Sequence, residues 1–132
     1  MRFKSLFLAS ALLFTGVAVA KAEEPVGARY FTQIMPVNGS ATVFTAASNV
    51  NGAIIRTTAI WTTANGLIHL VASYPDGSQR ILFTNLATPA QNSSDNLGFS
   101  LRLPAGVGLL IVSSGGASGY GAGGAAITYD LL

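Results

Sequence analysis

The sequence predicts an all-β domain, a single antiparallel sandwich of jelly-roll type with about eight strands. Three observations lead there. Beyond residue 22 the chain is a series of short apolar or alternating runs. Turn residues close the runs, among them Asn-Gly at 38–39, 51–52 and 65–66. No stretch there combines a 3.6-residue apolar period with helix caps.

The chain opens on Met1-Arg2-Phe3-Lys4, a short basic segment, followed by an uncharged apolar run over 5–20. Ala20-Lys21-Ala22 supplies the Ala-x-Ala pattern that a signal peptidase takes. The apolar run falls short of the about 20 residues that a membrane-spanning helix needs. Residues 1–22 therefore read as a cleaved secretory signal peptide, and 23–132 as one β-sandwich domain. The expected destination is the periplasm or the cell exterior, with no membrane anchor.

The strands follow in order: 30–36, 41–47, 53–63, 67–74, 79–86, 97–103, 107–113 and 125–132. The third is rich in β-branched residues, with Ile54, Ile55, Thr57, Thr58, Ile60 and Thr62. Over 97–103 the alternation places Leu97, Phe99, Leu101 and Leu103 on one face. Asn65-Gly66, between two strong strand patterns, predicts a tight type I′ hairpin. Pro75-Asp76-Gly77-Ser78 predicts a second tight turn, its proline preset to the φ that the turn needs. Transmembrane barrel strands need about 9–11 residues with aromatic girdles, and these shorter runs with scattered aromatics do not fit.

Removal of the leader reverses the charge. The whole chain has seven Lys and Arg against five Asp and Glu. Arg2, Lys4 and Lys21 fall in the leader, which leaves four arginines against five acids, a net charge of −1, and no lysine. Four scattered arginines do not make a basic patch, so nucleic acid is not an expected partner. The absence of cysteine excludes disulfides, lipoprotein acylation, a thiol nucleophile and a thiolate metal site. Few charges and no lysine leave edge strands without their usual protection and weaken repulsion between copies. A homo-oligomer, or a module that decorates a surface partner, is expected.

The catalytic motifs fail in turn. Residues 119–124 match G-x-G-x-x-G, but only eight residues remain for the helix and acidic residue that a dinucleotide site needs. His69 is the only histidine and sits inside a strand pattern, without a nucleophile elbow or metal-ligand cluster. The acids are scattered, so no carboxylate pair for glycosidase chemistry is placed together. A single carboxylate in the polar loop 91–96 is thin for calcium. The protein is therefore read as non-enzymatic, with no cofactor and no metal.

A binding role stays open. Six glycines fall within 115–124, which reads as a mobile or close-packed loop carrying Tyr120 at its tip. Aromatic rings offer flat apolar faces for sugar stacking. Trp61 sits mid-strand, where a core role is the ordinary one. The candidate ligand-binding residues are Trp61, Tyr74, Asp95 and Tyr120, with a glycan or small ligand bound through exposed aromatics and the loops 91–96 and 115–124.

The segment Leu101-Arg102-Leu103-Pro104-Ala105-Gly106-Val107-Gly108-Leu109-Leu110, with Ser113-Ser114-Gly115-Gly116 and the ending Ile127-Thr128-Tyr129-Asp130-Leu131-Leu132, resembles the closing hairpin of small β-sandwich modules in bacteriophage virion and appendage proteins. The resemblance covers the last third of the chain. It implies a sandwich that oligomerises or binds a surface, and brings no catalytic residues. Virion proteins are normally not exported, so the leader departs from that pattern.

Overall fold

The structure, a computed structural model, describes residues 26–116 and 121–132. The leader and Tyr120 lie outside the described residues. Nine strands form among them: β1 (Arg29–Met35), β2 (Gly39–Phe44), β3 (Ala53–Thr62), β4 (Gly66–Ser73), β5 (Gln79–Leu86), β6 (Ser93–Asn96), β7 (Leu101–Leu103), β8 (Gly108–Gly115) and β9 (Gly123–Leu131). One sheet runs β1-β9-β3, with β6 and β7 both on the far side of β3; the other runs β2-β8-β4-β5. Every pairing is antiparallel. Counting β6 and β7 as one interrupted strand, this is the order of an eight-stranded jelly roll.

The two sheets bury one core. Met35, Ile55, Ile60 and Ile127 meet Ile68, Leu70, Leu109 and Ile111, all fully buried. Phe44 and Tyr129 pack ring to ring, centroids 5.0 Å apart, and the Tyr129 hydroxyl donates to Val43 O at 3.3 Å. Within β3 the inward positions change parity. Ala53 and Ile55 are buried before Arg56, and Thr58, Ile60 and Thr62 after it. Arg56 is the extra residue of a β-bulge, since Ile55 pairs with Tyr129 and Thr57 with Thr128.

Buried amides tie the loops and open edges together. Asn49 donates from Nδ2 to Pro104 O and Val107 O, both at 2.8 Å, and its main-chain carbonyl accepts from Gly106 N–H at 2.7 Å. Asn85 on β5 donates to Ile60 O at 2.9 Å across the sandwich and accepts from Ser93 Oγ at 2.8 Å.

Four expectations are corrected. Asn65-Gly66 does not close a hairpin: β3 and β4 belong to different sheets, so the chain crosses the sandwich there. Asn65 takes φ of 63°, and Gly66 N–H donates to Thr63 O at 2.7 Å. This puts the positive φ at the third turn position, which a type II turn requires. The hairpin between consecutive strands is at Pro75-Asp76-Gly77-Ser78, where β4 and β5 pair. The polar stretch 91–96, read as a loop, contributes β6 to the sheet edge through backbone pairing with β3. The run 97–103 is a strand only over β7, and Phe99 is 65% exposed rather than aligned with buried Leu103. The last two strands, β8 and β9, also lie in opposite sheets instead of forming a closing hairpin.

Candidate functional site

The outer face of the β1-β9-β3 sheet carries two exposed aromatic residues, Tyr30 and Trp61. The registers lay three rows across it. Ile34, Gly124, Trp61 and Ser94 form one; Thr32, Ala126, Ala59 and Asn96 the next; Tyr30, Thr128 and Thr57 the third. Directly opposed residues in antiparallel strands share a face, so the rows present one surface. Its floor is small: glycine, alanines and threonines. Tyr30 and Ile34 stand out from it at 66% and 74% exposure.

Trp61 is the largest side chain on this face, 37% exposed. Its indole lies over Gly124, where a Cβ would stand 2.6 Å from Trp61 Cε2 and 2.8 Å from Gln33 O. Glycine at 124 is thus what lets the ring lie flat on the sheet. The core role ordinarily given to a mid-strand tryptophan does not hold here, because the bulge at Arg56 turns position 61 outward.

One charged cluster sits at the end of this face. Asp130 accepts from Ala28 N–H at 2.7 Å and from Arg56 Nε at 2.8 Å. The Ala28 hydrogen bond first, and then Arg56, hold its carboxyl below the usual carboxylate range. Thr57 and Thr128 share a hydroxyl hydrogen bond of 2.7 Å beside it.

A groove of about 420 Å³ opens where β6 ends and β7 has not begun. Arg56, Thr57, Thr58 and Ala59 line one side, and 96–100 the other. Asn96 pairs with Ala59 and Leu101 with Ile55, so the ladder is interrupted between those two points. Thr58 is on the inward face of β3, and its Oγ1 is buried with no hydrogen-bond partner among the described residues.

The remaining candidates lie apart. Tyr74 directly follows β4 of the other sheet; it is half-buried, with the Arg80 guanidinium 5.4 Å from its ring centre. Asp95 pairs with inward-facing Ile60, which places it on the side of β6 opposite Trp61, and its Oδ1 accepts Asn96 N–H at 2.7 Å. Trp61, Tyr74 and Asp95 therefore do not converge. Half-buried His69 bonds through Nδ1 to Thr84 Oγ1 at 2.8 Å, and Asp76 accepts from both Ser78 Oγ and Ser78 N–H in its turn. Among the described residues no three His, Cys, Asp or Glu side chains gather as metal ligands would. Sequence reading missed Phe99 and the groove, because the alternation over 97–103 assigned Phe99 to a buried face.

No protein-family model matches the sequence, and no curated protein sequence matches it. Solved structures similar to it include the crystal structure of PirA, at 18% identity over 83% of this chain and 98% of that one, with a TM-score of 0.44. The virus-like particle of the giant freshwater prawn Macrobrachium rosenbergii extra small virus follows, at 12% identity over 80% and 79%, TM-score 0.37. The infectious bursal disease virus Gt strain is similar at 17% identity over 78% of this chain and 32% of that one, TM-score 0.33.

Proposed function

We propose that this chain is an exported, non-enzymatic interaction module that self-associates through β1. One observation carries the reading. Three of the sheet edges are irregular: β2 and β5 have register shifts against their partners, and the β6–β7 edge is split. Such irregularities are how natural sheets discourage edge pairing. β1 alone runs in unbroken register, from Arg29 opposite Tyr129 to Met35 opposite Gly123. It has neither lysine nor proline, and it displays Tyr30 and Ile34. Pairing with β1 of a second copy would extend the sheet across the contact.

Light scattering after size exclusion tests this over a range of concentrations. Oligomers are expected that dissociate in the Ile34→Lys and Tyr30→Lys variants; a strict monomer at high concentration overturns it. Export rests on the leader over 1–22, and N-terminal sequencing of secreted protein beginning at Glu23 is its check. A second reading, binding of a glycan or small ligand, is favoured by the exposed aromatic side chains of this same face.

A further inference from the structure

The geometry points to the groove between β3 and residues 97–100 as a binding site for one neutral polyhydroxylated ring, a sugar unit of pyranose size. The inference rests on the ligand-binding reading above and gives it a place and a chemistry.

The groove arises from two irregularities that coincide. On one side of β3, Arg56 is the bulge residue against β9. On the other side, the ladder with β6 and β7 stops between Ala59 and Ile55. Four residues, Leu97, Gly98, Phe99 and Ser100, span a gap that faces only Arg56, Thr57 and Thr58. The excess length arches away from β3 instead of pairing with it. Bulges of this kind concentrate beside functional sites, where they re-aim side chains. A peptide strand cannot be inserted, because the arch already occupies the edge. A small ring can, since the volume of about 420 Å³ lies within the roughly 300–1,000 Å³ of ordinary ligand pockets.

The lining decides the class. An interrupted ladder leaves main-chain N–H and C=O groups facing the cleft, a mixture of donors and acceptors. Asn96 and Ser100 add side chains that both donate and accept. Phe99 supplies a flat apolar face at 65% exposure, on which the C–H groups of a sugar ring can rest. The one charged lining residue, Arg56, is engaged by Asp130 at 2.8 Å. The groove therefore offers no uncompensated charge for an anion, and a neutral ligand with hydroxyls around an apolar face matches it.

Two substitutions probe the site without touching the core. Phe99→Ala removes the platform. Gly98→Leu adds a bulky side chain to a lining residue of the groove without a clash, since a Cβ at 98 meets nothing within 4 Å and its φ is not in the left-handed region. Saturation-transfer and amide-shift titrations use glucose, galactose and N-acetylglucosamine, with indole as an apolar ring control. Thermal melts verify that both variants fold. The expected result is transfer to at least one sugar, amide shifts confined to 56–59 and 96–101, and binding weakened tenfold or more in both variants. Sugar binding with shifts elsewhere, on the rows around Trp61 or at Tyr74, overturns this site while leaving the ligand-binding reading in place. Transfer to no sugar, or to indole alone, overturns both.

Discussion

Asn49 provides a sharp test of how the loops are held. Its side chain is wholly buried, between the β2–β3 connection and the turn leading into β8. It donates two hydrogen bonds, to Pro104 O and Val107 O. Each bond contributes about 1 kcal/mol net, and a buried acceptor left without a donor costs about 1–3 kcal/mol. Val107 is buried, so its carbonyl has no water to turn to; Pro104 is exposed, and its carbonyl is expected to be rehydrated. Removing Asn49 Oδ1, which has no partner among the described residues, returns part of the loss. Asn49→Ala is therefore expected to cost about 2–4 kcal/mol, near 10–20 °C in Tm for a domain of this size. Asn49→Asp keeps the shape but sets a carboxylate oxygen against two carbonyl oxygens. It is expected to cost more than alanine at pH 7, and to recover partly as acid protonates it. Urea denaturation of the two variants, with m-values compared to the parent, measures both. A loss below about 1 kcal/mol for Asn49→Ala, or an aspartate tolerated better than alanine, would refute the argument that the two donated bonds hold these loops.

Two further outcomes are expected. Gly124→Ala lifts the Trp61 ring from the sheet; because Trp61 is the only tryptophan, its emission should shift to the red, with a loss of about 1–2 kcal/mol, and unchanged emission would contradict the stacked geometry. Asp130, whose folded-state pKa lies below its unfolded value, contributes stability that is present above the unfolded pKa of about 4 and is lost as pH falls through the folded pKa. Asp130→Asn should flatten the stability profile below about pH 4, only in part, because Asp76 is lowered as well through its hydrogen bonds to Ser78. An acid limb that stays as steep in the variant counts against this.

Most of the fold is legible in the residues, and the departures have physical causes. Periodicity and β-branching mark β3, β4 and β5, since half-buried strands alternate apolar and polar positions. β6 gives no such signal. Ser93-Ser94-Asp95-Asn96 is an edge strand that pairs through its backbone, with three of its four side chains exposed. Turn chemistry was informative about direction but not about partners. Asn65-Gly66 and Pro75-Asp76-Gly77-Ser78 both reverse the chain, yet only the second joins neighbours in one sheet. The site was less visible. Trp61 faces outward because one bulge residue, Arg56, changes the parity of β3, and nothing in the local pattern announces a bulge. Phe99 belongs to an apolar alternation that the backbone abandons over 97–100.

The single hairpin also bears on how the chain reaches this state. Among the described residues, β4 with β5 is the only ladder between strands adjacent in sequence. Every other ladder joins distant segments, up to β1 with β9 at opposite ends of the domain. Loop-closure entropy must be met before such contacts form, so all-β chains of this kind fold in milliseconds to seconds. The β4–β5 unit is the natural place for structure to begin, with β1 and β9 closing last. For a polypeptide proposed to leave the cytoplasm behind its leader, late closure keeps the chain extended while it is threaded. It also leaves β1, the unblocked edge, as the last surface to be completed.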